Sequence, residues 1–329
     1  MQALVIGYGS IGKRHIENLS KLPNIKILVC SKRKYDVFLK SKNCVLINSL
    51  EDCINQKPNF AIICNETSFH IKTAIKLAKS GIHLFIEKPL SNSLKGINEL
   101  MILTRKKKII TMIGNNFRFH PSIKLIKKMI SSKDLGRIIS AKVENGSFLP
   151  YWHPNENYSK NYSARDDLGG GVILTCIHEI DYLYWFFGNV SNVFSISGKF
   201  SDLDIQTEDL SAILLKFENN VIAEAHLDYF QIPSIRNCKI ICTKGTIIWD
   251  MHQNIVRFYD NKNKKWIEKL KLTNYEINSM YLEELKYFIK CIRENKKTNC
   301  DIEDGIYTLK IALSIKKSSK FQKIQMIEK

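Results

Sequence analysis

A disulfide or zinc framework is the first thing this chain lacks. Its nine cysteines fall singly over 329 residues, no Cys-x-x-Cys pair occurs, and Cys30, Cys64, Cys176, Cys238 and Cys242 sit inside apolar segments. That scatter excludes a knotted secreted scaffold and a zinc module, predicts reduced core thiols, and leaves no metal site to expect. A long apolar run is missing as well, so no membrane partner is expected. The opening Met1-Gln2-Ala3-Leu4-Val5-Ile6 is too short for a signal sequence and reads as a buried strand, which points to a cytoplasmic protein. Acidic residues are scarce, 32 against 50 basic ones, for a formal charge of +18. Such an excess suits an anionic partner. The cations are dispersed, however, in runs such as Arg105-Lys106-Lys107-Lys108 and 262–265, among many Asn and Ile. No nucleic-acid motif accompanies them, so nucleic acid is not expected as a partner, while a small anionic ligand stays compatible.

What is present divides in two. A chain of 329 residues exceeds the usual single domain. Up to residue 119, short apolar runs at 3–6, 26–30, 60–64, 83–87 and 110–114 alternate with helical patterns such as 11–21 and 69–80, the latter stopped by Gly81. Alternation of this kind predicts an α/β domain, a doubly wound parallel Rossmann sheet over 1–119 with its ligand at the carboxyl ends of the strands. Beyond Arg118 the rhythm changes. A helix at 121–132, a strand at 138–146 and an aromatic, polar loop at 151–168 lead to Gly169-Gly170-Gly171 and a helix running to 187. Strands then follow without helices between them, near 193–199, 210–217, 221–230, 239–243, 246–249 and 256–259, and helices at 279–294 and 303–318 close the chain. The expectation for 120–329 is a second, α+β domain with a mostly antiparallel open sheet.

The loop Gly7-Tyr8-Gly9-Ser10-Ile11-Gly12 follows the first strand and opens a helix. In that setting Gly7 permits the tight turn, Gly9 lets the backbone approach phosphate oxygens, and Gly12 allows close helix packing. The N–H groups around Ser10 and Ile11 then face a dinucleotide pyrophosphate. At the end of the second strand an NAD site usually carries an acid for the ribose hydroxyls, but here stands Cys30-Ser31-Lys32-Arg33-Lys34. A carboxylate repels a 2′-phosphate, whereas Ser31 can hydrogen-bond it and Lys32 or Arg33 can pair with it. NADP(H) is therefore preferred and NAD(H) stays possible; the alternative is that this patch only reflects the general lysine excess.

Further motifs follow in order: Asn65-Glu66-Thr67-Ser68-Phe69-His70, Glu87-Lys88-Pro89, the stretch from Gly114 through Asn116 and Arg118 to Pro121, and Leu168-Gly169-Gly170-Gly171 with His178 and Asp181 beyond. Together they resemble the glucose-fructose oxidoreductase, inositol dehydrogenase and MocA family of sugar dehydrogenases over nearly the whole chain. The resemblance implies hydride transfer between nicotinamide C4 and a carbon bearing a hydroxyl or carbonyl group, in a cleft between two domains. It brings Asn65, Thr67, His70, Glu87, Lys88 and Asn116 to the cofactor and makes Lys88 and His178 the acid/base pair. Beside a cationic oxidised ring, and partly desolvated, the Lys88 ammonium would be disfavoured, which suits proton transfer.

The same resemblance places Lys88, Arg118, Thr175 and His178 around the substrate; from the loop at 151–168, Tyr151 and Tyr162 offer aromatic faces for a sugar and Arg165 a fork for a carboxylate or phosphate. Thr175, His178 and Tyr182 are expected on one helical face, with the triple glycine letting the chain pass close to ligand. Many relatives carry Asp where Thr175 stands, and Thr cannot take up a proton at neutral pH. That departure keeps open a second reading, a non-catalytic dinucleotide-binding sugar sensor. Asp181 is expected to cap or pair structurally. The loop at 151–168 looks most like members acting on amino or nucleotide sugars for cell-surface glycans. A homodimer or homotetramer is expected, because strand 210–217 is partly apolar on both faces.

Overall fold

The structure, a computed structural model, describes residues 1–132 and 134–328. Its first sheet is made of Gln2–Ile6 (β1), Lys26–Cys30 (β2), Val45–Ile47 (β3), Phe60–Ile63 (β4), His83–Glu87 (β5) and Thr111–Gly114 (β6). All pair in parallel, in the order β3-β2-β1-β4-β5-β6. Strands β4 and β6 are buried along their whole length, as a parallel sheet covered on both faces requires. The winding reverses between β1 and β4, and a ligand of such a sheet binds beyond the carboxyl ends there. Strand β3 is absent from the sequence expectation. It is a three-residue edge whose Val45 is exposed, so no buried run announces it.

Helix Asn278–Glu294 also belongs to this layer. The buried Phe288 ring meets Phe60 and Phe85 edge-on, at 5.7 and 5.6 Å between centroids. Beyond the helix, Thr298 Oγ1 donates to the Thr111 carbonyl at 2.7 Å, and the Ile113 amide donates to Cys300 O at 2.8 Å. The compact units are accordingly discontinuous: one takes Met1–Asn116 with Asn278–Ile306, the other Phe117–Ile277 with the chain from Tyr307 on. A single cut between residues 119 and 120 does not describe them. The apolar stripe of 278–294 says that one face is buried, but not against which sheet.

The second unit holds a nine-stranded sheet: Ile138–Gly146 (β7), Val190–Gly198 (β8), Leu210–Phe217 (β9), Ile222–Asp228 (β10), Ile235–Cys242 (β11), Gly245–Asp250 (β12), Ile255–Asp260 (β13), Lys265–Lys271 (β14) and Gln325–Met326 (β15). Its order is β14-β13-β12-β11-β7-β10-β9-β8-β15, antiparallel except where β7 meets β10. Along β9, Ser211, Ile213, Leu215 and Phe217 are buried while Ala212, Leu214 and Lys216 are exposed, the period-two alternation of a sheet with one covered face. Helices cover the inner face; Ser195 Oγ donates to Ile315 O at 2.7 Å and Ser195 N to Ser318 Oγ at 3.1 Å. Strand β14 was not expected either, being a lysine-rich edge with no buried residue, the kind that blunts pairing with other chains.

All nine cysteines are free and, Cys30 apart, buried. Among the described residues no helix is long and apolar enough to cross a membrane. Nor is any group of three or more His, Cys, Asp or Glu side chains among them placed to hold a metal ion.

Candidate active site

In the first unit, the chain leaves β1 and turns at Gly7, whose φ is +96°. A side chain there would meet the Asn65 amide nitrogen and the Cys64 carbonyl at 2.7 Å, and one at Gly12 would run into the Gly7 carbonyl oxygen. Packing within the protein thus demands both glycines. Gly9 differs: a Cβ there would have nothing within 4 Å. It precedes the eleven-residue helix Ser10–Ser20, which no side chain caps. Ser10 is exposed and Ile11 half-buried. Nearby Asn65 Oδ1 is buried without a hydrogen-bond partner, as is Asn116 Oδ1 elsewhere in this unit. An open glycine face, uncapped N–H groups and orphaned amide oxygens fit a dinucleotide whose pyrophosphate lies on the helix N-terminus.

At the end of β2, Ser31 Oγ accepts the Arg33 amide at 3.1 Å, and the side chains of Lys32 and Arg33 are exposed. The sequence reading passes over Asp36. Tyr8 OH donates to both its oxygens, at 2.8 and 2.9 Å, and the Leu39 amide donates to it at 3.0 Å. The Leu39 amide, with Tyr8 second, holds the Asp36 carboxyl below the usual carboxylate range, while burial and the Asp36 hydrogen bond push the Tyr8 phenol up. An N-capping Asp before Val37–Ser41 was the available signal.

Strand β5 delivers Glu87-Lys88-Pro89. Glu87 is 6% exposed; its Oε1 lies 2.6 Å from His15 Nε2, and its Oε2 accepts the Lys88 amide at 3.2 Å. A Cβ on Gly114 of β6 would stand 3.0 Å from the same carboxylate, so glycine is the residue that fits beside it. Lys88 is half-buried, and the Lys88–Pro89 peptide is cis. His70 spans Pro89 O, 2.9 Å from Nδ1, and Asn65 O, 2.8 Å from Nε2; burial lowers its pKa against the pull of these carbonyls. Thr67 is buried in the short turn Thr67–Phe69 between them. His70 thus ties the Asn65 loop to Pro89, and Glu87 holds the Lys88 amide in the same turn. His15 escapes sequence reading, although it shares the buried stripe of Gly12, Ile16 and Leu19, because the acid it meets lies 72 positions away.

Three expectations for the second unit change. The helix after the glycines is two helices, Val172–Thr175 and His178–Phe187, with a turn at Cys176-Ile177, so helical spacing does not align Thr175 with His178. The glycines face protein: a Cβ on Gly170 would strike the Tyr162 carbonyl oxygen, and one on Gly171 the Glu208 carboxylate. Arg118, expected at the substrate, is 1% exposed and grips Asp181 bidentately, Nε–Oδ2 2.9 Å and Nη2–Oδ1 2.8 Å. That buried pair makes Arg118 an internal strut and agrees with the structural part expected of Asp181.

His178 is 6% exposed, with its ring centroid 5.0 Å from that of Phe117. The Arg236 guanidinium lies 4.3 Å over the Phe117 ring and donates to Glu179 at 2.8 and 3.2 Å; Asn145 Nδ2 adds a bond to Glu179 at 3.1 Å. Thr175 is buried, Tyr162 half-buried and Tyr151 66% exposed. Arg165 is half-buried and pairs with Asp167 at 3.0 and 2.6 Å. Lys88 belongs to the first unit and His178 to the second.

Comparison with known proteins agrees with this architecture. Residues 1–115 match the model of an oxidoreductase family with an NAD-binding Rossmann fold, GFO/IDH/MocA, and residues 123–248 match its C-terminal domain model. The uncharacterised oxidoreductase YrbE of Bacillus subtilis is 28% identical, covering 96% of this chain and 94% of its own. Myo-inositol 2-dehydrogenase of Thermotoga maritima is 25% identical over 97% and 96%. A levoglucosan dehydrogenase solved with NADH superposes with a TM-score of 0.91 over 100% of this chain and 99% of its own, at 16% identity, a likeness of fold. Relatives of this kind fit the catalytic reading and not the sensor.

Proposed function

The chain belongs to the GFO/IDH/MocA oxidoreductase family, and on that premise we propose that it exchanges a hydride between a nicotinamide dinucleotide and a hydroxyl- or carbonyl-bearing carbon of a sugar or keto-sugar. A bound nicotinamide supplies the hydride acceptor or donor; the accompanying proton falls to the protein. The observation that carries the reading is the pairing, within one parallel sheet, of an open glycine cradle after β1 with a half-buried lysine held at the end of β5.

In this reading Gly7, Gly9, Ser10, Ile11 and Gly12 hold the pyrophosphate, with Asn65, Thr67, His70, Glu87 and Asn116 as further cofactor contacts. Lys88 takes the hydroxyl proton in oxidation and returns it in reduction. His178 is the second proton carrier or hydroxyl ligand, and Thr175 orients substrate by hydrogen bonding without titrating. Tyr151, Tyr162 and Arg165 face the sugar. The Arg165 fork suits the phosphates of a nucleotide sugar, and its exposed ion pair with Asp167 exchanges at little cost. NADP(H) is the preferred cofactor: Ser31, Lys32 and Arg33 meet the 2′-phosphate, while Asp36 is already engaged by Tyr8 and Leu39.

The test is a panel of free inositol, glucose, keto-sugars, N-acetylated sugars and nucleotide sugars with each nicotinamide nucleotide, read by the absorbance of the reduced ring. Turnover by the native chain, lowered about 10²-fold or more in Lys88→Ala with dinucleotide affinity retained, is the expected result. No turnover anywhere in the panel would refute it, and turnover confined to inositol or glucose would reject the nucleotide-sugar part. We also propose that copies of the chain pair through the outer face of the nine-stranded sheet, where Ala212 and Leu214 are exposed. Light scattering should give a dimer or tetramer mass, and a monomer mass would reject this.

A further inference from the structure

We propose that His15 is a positioning residue for Lys88: its imidazole fixes the Glu87 carboxylate, and that carboxylate fixes the turn from which Lys88 works. The inference rests on the reading of Lys88 as the proton-handling amine. His15 is fully buried on the helix whose N-terminus frames the glycine cradle. The 2.6 Å contact between its Nε2 and Glu87 Oε1 is shorter than an ordinary N–H···O bond. The Phe85 ring meets the imidazole edge-on at 5.2 Å and restrains its plane.

The carboxylate has little freedom. One oxygen faces His15 and the other accepts the Lys88 amide, and Gly114 closes the remaining side. A buried carboxylate that loses its partner is costly enough that the side chain would leave its place. Lys88 would then lose the bond to its own amide and with it the aim of its side chain. His15 and Glu87 are 72 positions apart in the chain. Their contact ties the pyrophosphate helix directly to the turn that carries the amine. Other titratable groups sense Glu87 too: the Cys64 thiol just after β4, the His70 imidazole, and the Tyr281 phenol from helix Asn278–Glu294, which also faces Arg14, Lys88 and Glu284. The hydrogen bonds of the Glu87 oxygens go to His15 Nε2 and to the Lys88 amide.

The experiment compares the full chain with His15→Ala and with His15→Gln, whose amide nitrogen reaches the place of Nε2. Two readouts are taken: steady-state kinetics on whichever panel sugar the native chain turns over, and the acetylation rate of Lys88 relative to surface lysines, by mass spectrometry of peptides after acetic anhydride. His15→Ala should lower kcat roughly 30-fold or more, in the range set by misplacing a reacting group by an ångström, with the dinucleotide KM within about threefold. Its Lys88 acetylation rate should change at least about threefold, and His15→Gln should restore both quantities. Equal loss in the two variants, or a kcat loss matched by loss of dinucleotide binding, would mark His15 as merely structural and overturn the proposal. If the native chain turns over no sugar, the proposed function fails by itself and acetylation still decides: an unchanged Lys88 rate in His15→Ala sinks the positioning role, and a changed rate restored by glutamine sustains it. Should His15→Ala not fold, Glu87→Gln carries the same acetylation test, with the same change expected and an unchanged rate overturning the proposal.

Discussion

At the scale of single residues, the three loop glycines have different duties, and the difference is measurable. Gly12 lies inside helix Ser10–Ser20, where exchange for alanine ordinarily gains about 1 kcal/mol. Here the added methyl would run into the Gly7 carbonyl oxygen, and overpacking against backbone costs about 1–3 kcal/mol, so the clash outweighs the propensity. Gly9 has φ −85°, which alanine adopts without strain, and open space where the methyl would stand. Gly9→Ala should therefore keep stability within about 1 kcal/mol, the scale of a changed N-cap. Its methyl would occupy the face toward which phosphate oxygens come, and dinucleotide affinity should fall about tenfold or more. Gly12→Ala should instead melt earlier. Thermal denaturation and titration of reduced-nicotinamide fluorescence check both; wild-type affinity in Gly9→Ala would remove the cradle from its assigned place.

At the scale of elements, legibility followed burial and continuity. Runs buried on both faces, such as those of β1, β4 and β5, announce themselves by composition, and β9 by alternation. Edge strands do not: β3 and β15 are short, β14 is charged and without a buried residue, and β15 pairs with β8, far away in the chain. The helix break at Cys176-Ile177 carries neither glycine nor proline, so no local signal marks it. Of the candidate site, what is contiguous was legible: the glycine loop and the Glu87-Lys88-Pro89 turn each have one spacing and one sense. What is assembled from afar was not. Glu87 finds His15 across 72 positions, Tyr8 finds Asp36 across 28, and Arg118 finds Asp181 across 63. An arginine whose partner lies that far along reads as available, which is why Arg118 was expected at the substrate. The triple glycine misled for a related reason, since the surface it approaches is the chain's own, at Tyr162 and Glu208.

At the scale of the whole molecule, buried neutral histidines and a large positive charge both make acid destabilising, and the two contributions can be separated. His120 is fully buried; its Nδ1 accepts the Ser122 amide at 3.2 Å, and its ring packs on Tyr275 and Trp249. Burial, followed by the Arg236 charge, pushes its pKa down to about 4. In the unfolded chain a histidine titrates near 6.5, so the unfolded state binds the proton first. The contribution is complete above about pH 6.5 and is lost as the pH falls toward 4, a total of about 3 kcal/mol. His70 and His83, lowered chiefly by burial, act in the same direction. His226, raised chiefly by its hydrogen bond to Asp228, acts in the opposite one, and half-exposed it counts for little. The formal charge of +18 grows as these groups take up protons, and its self-repulsion adds to the loss. Salt screens that repulsion but not a buried desolvation. All four tryptophans lie in the unit that holds His120, so urea denaturation followed by their fluorescence reads the relevant unfolding. Between pH 7 and pH 4.5 the native chain should lose at least about 2–3 kcal/mol at high salt, and more at low salt. His120→Asn retains an N-cap for helix Pro121–Ser131 and no longer titrates. It should be less stable at pH 7 for want of the ring, yet its loss on acidification should be smaller by about 2 kcal/mol. An acid slope in His120→Asn equal to the native one would mean that this imidazole is not held neutral by the fold.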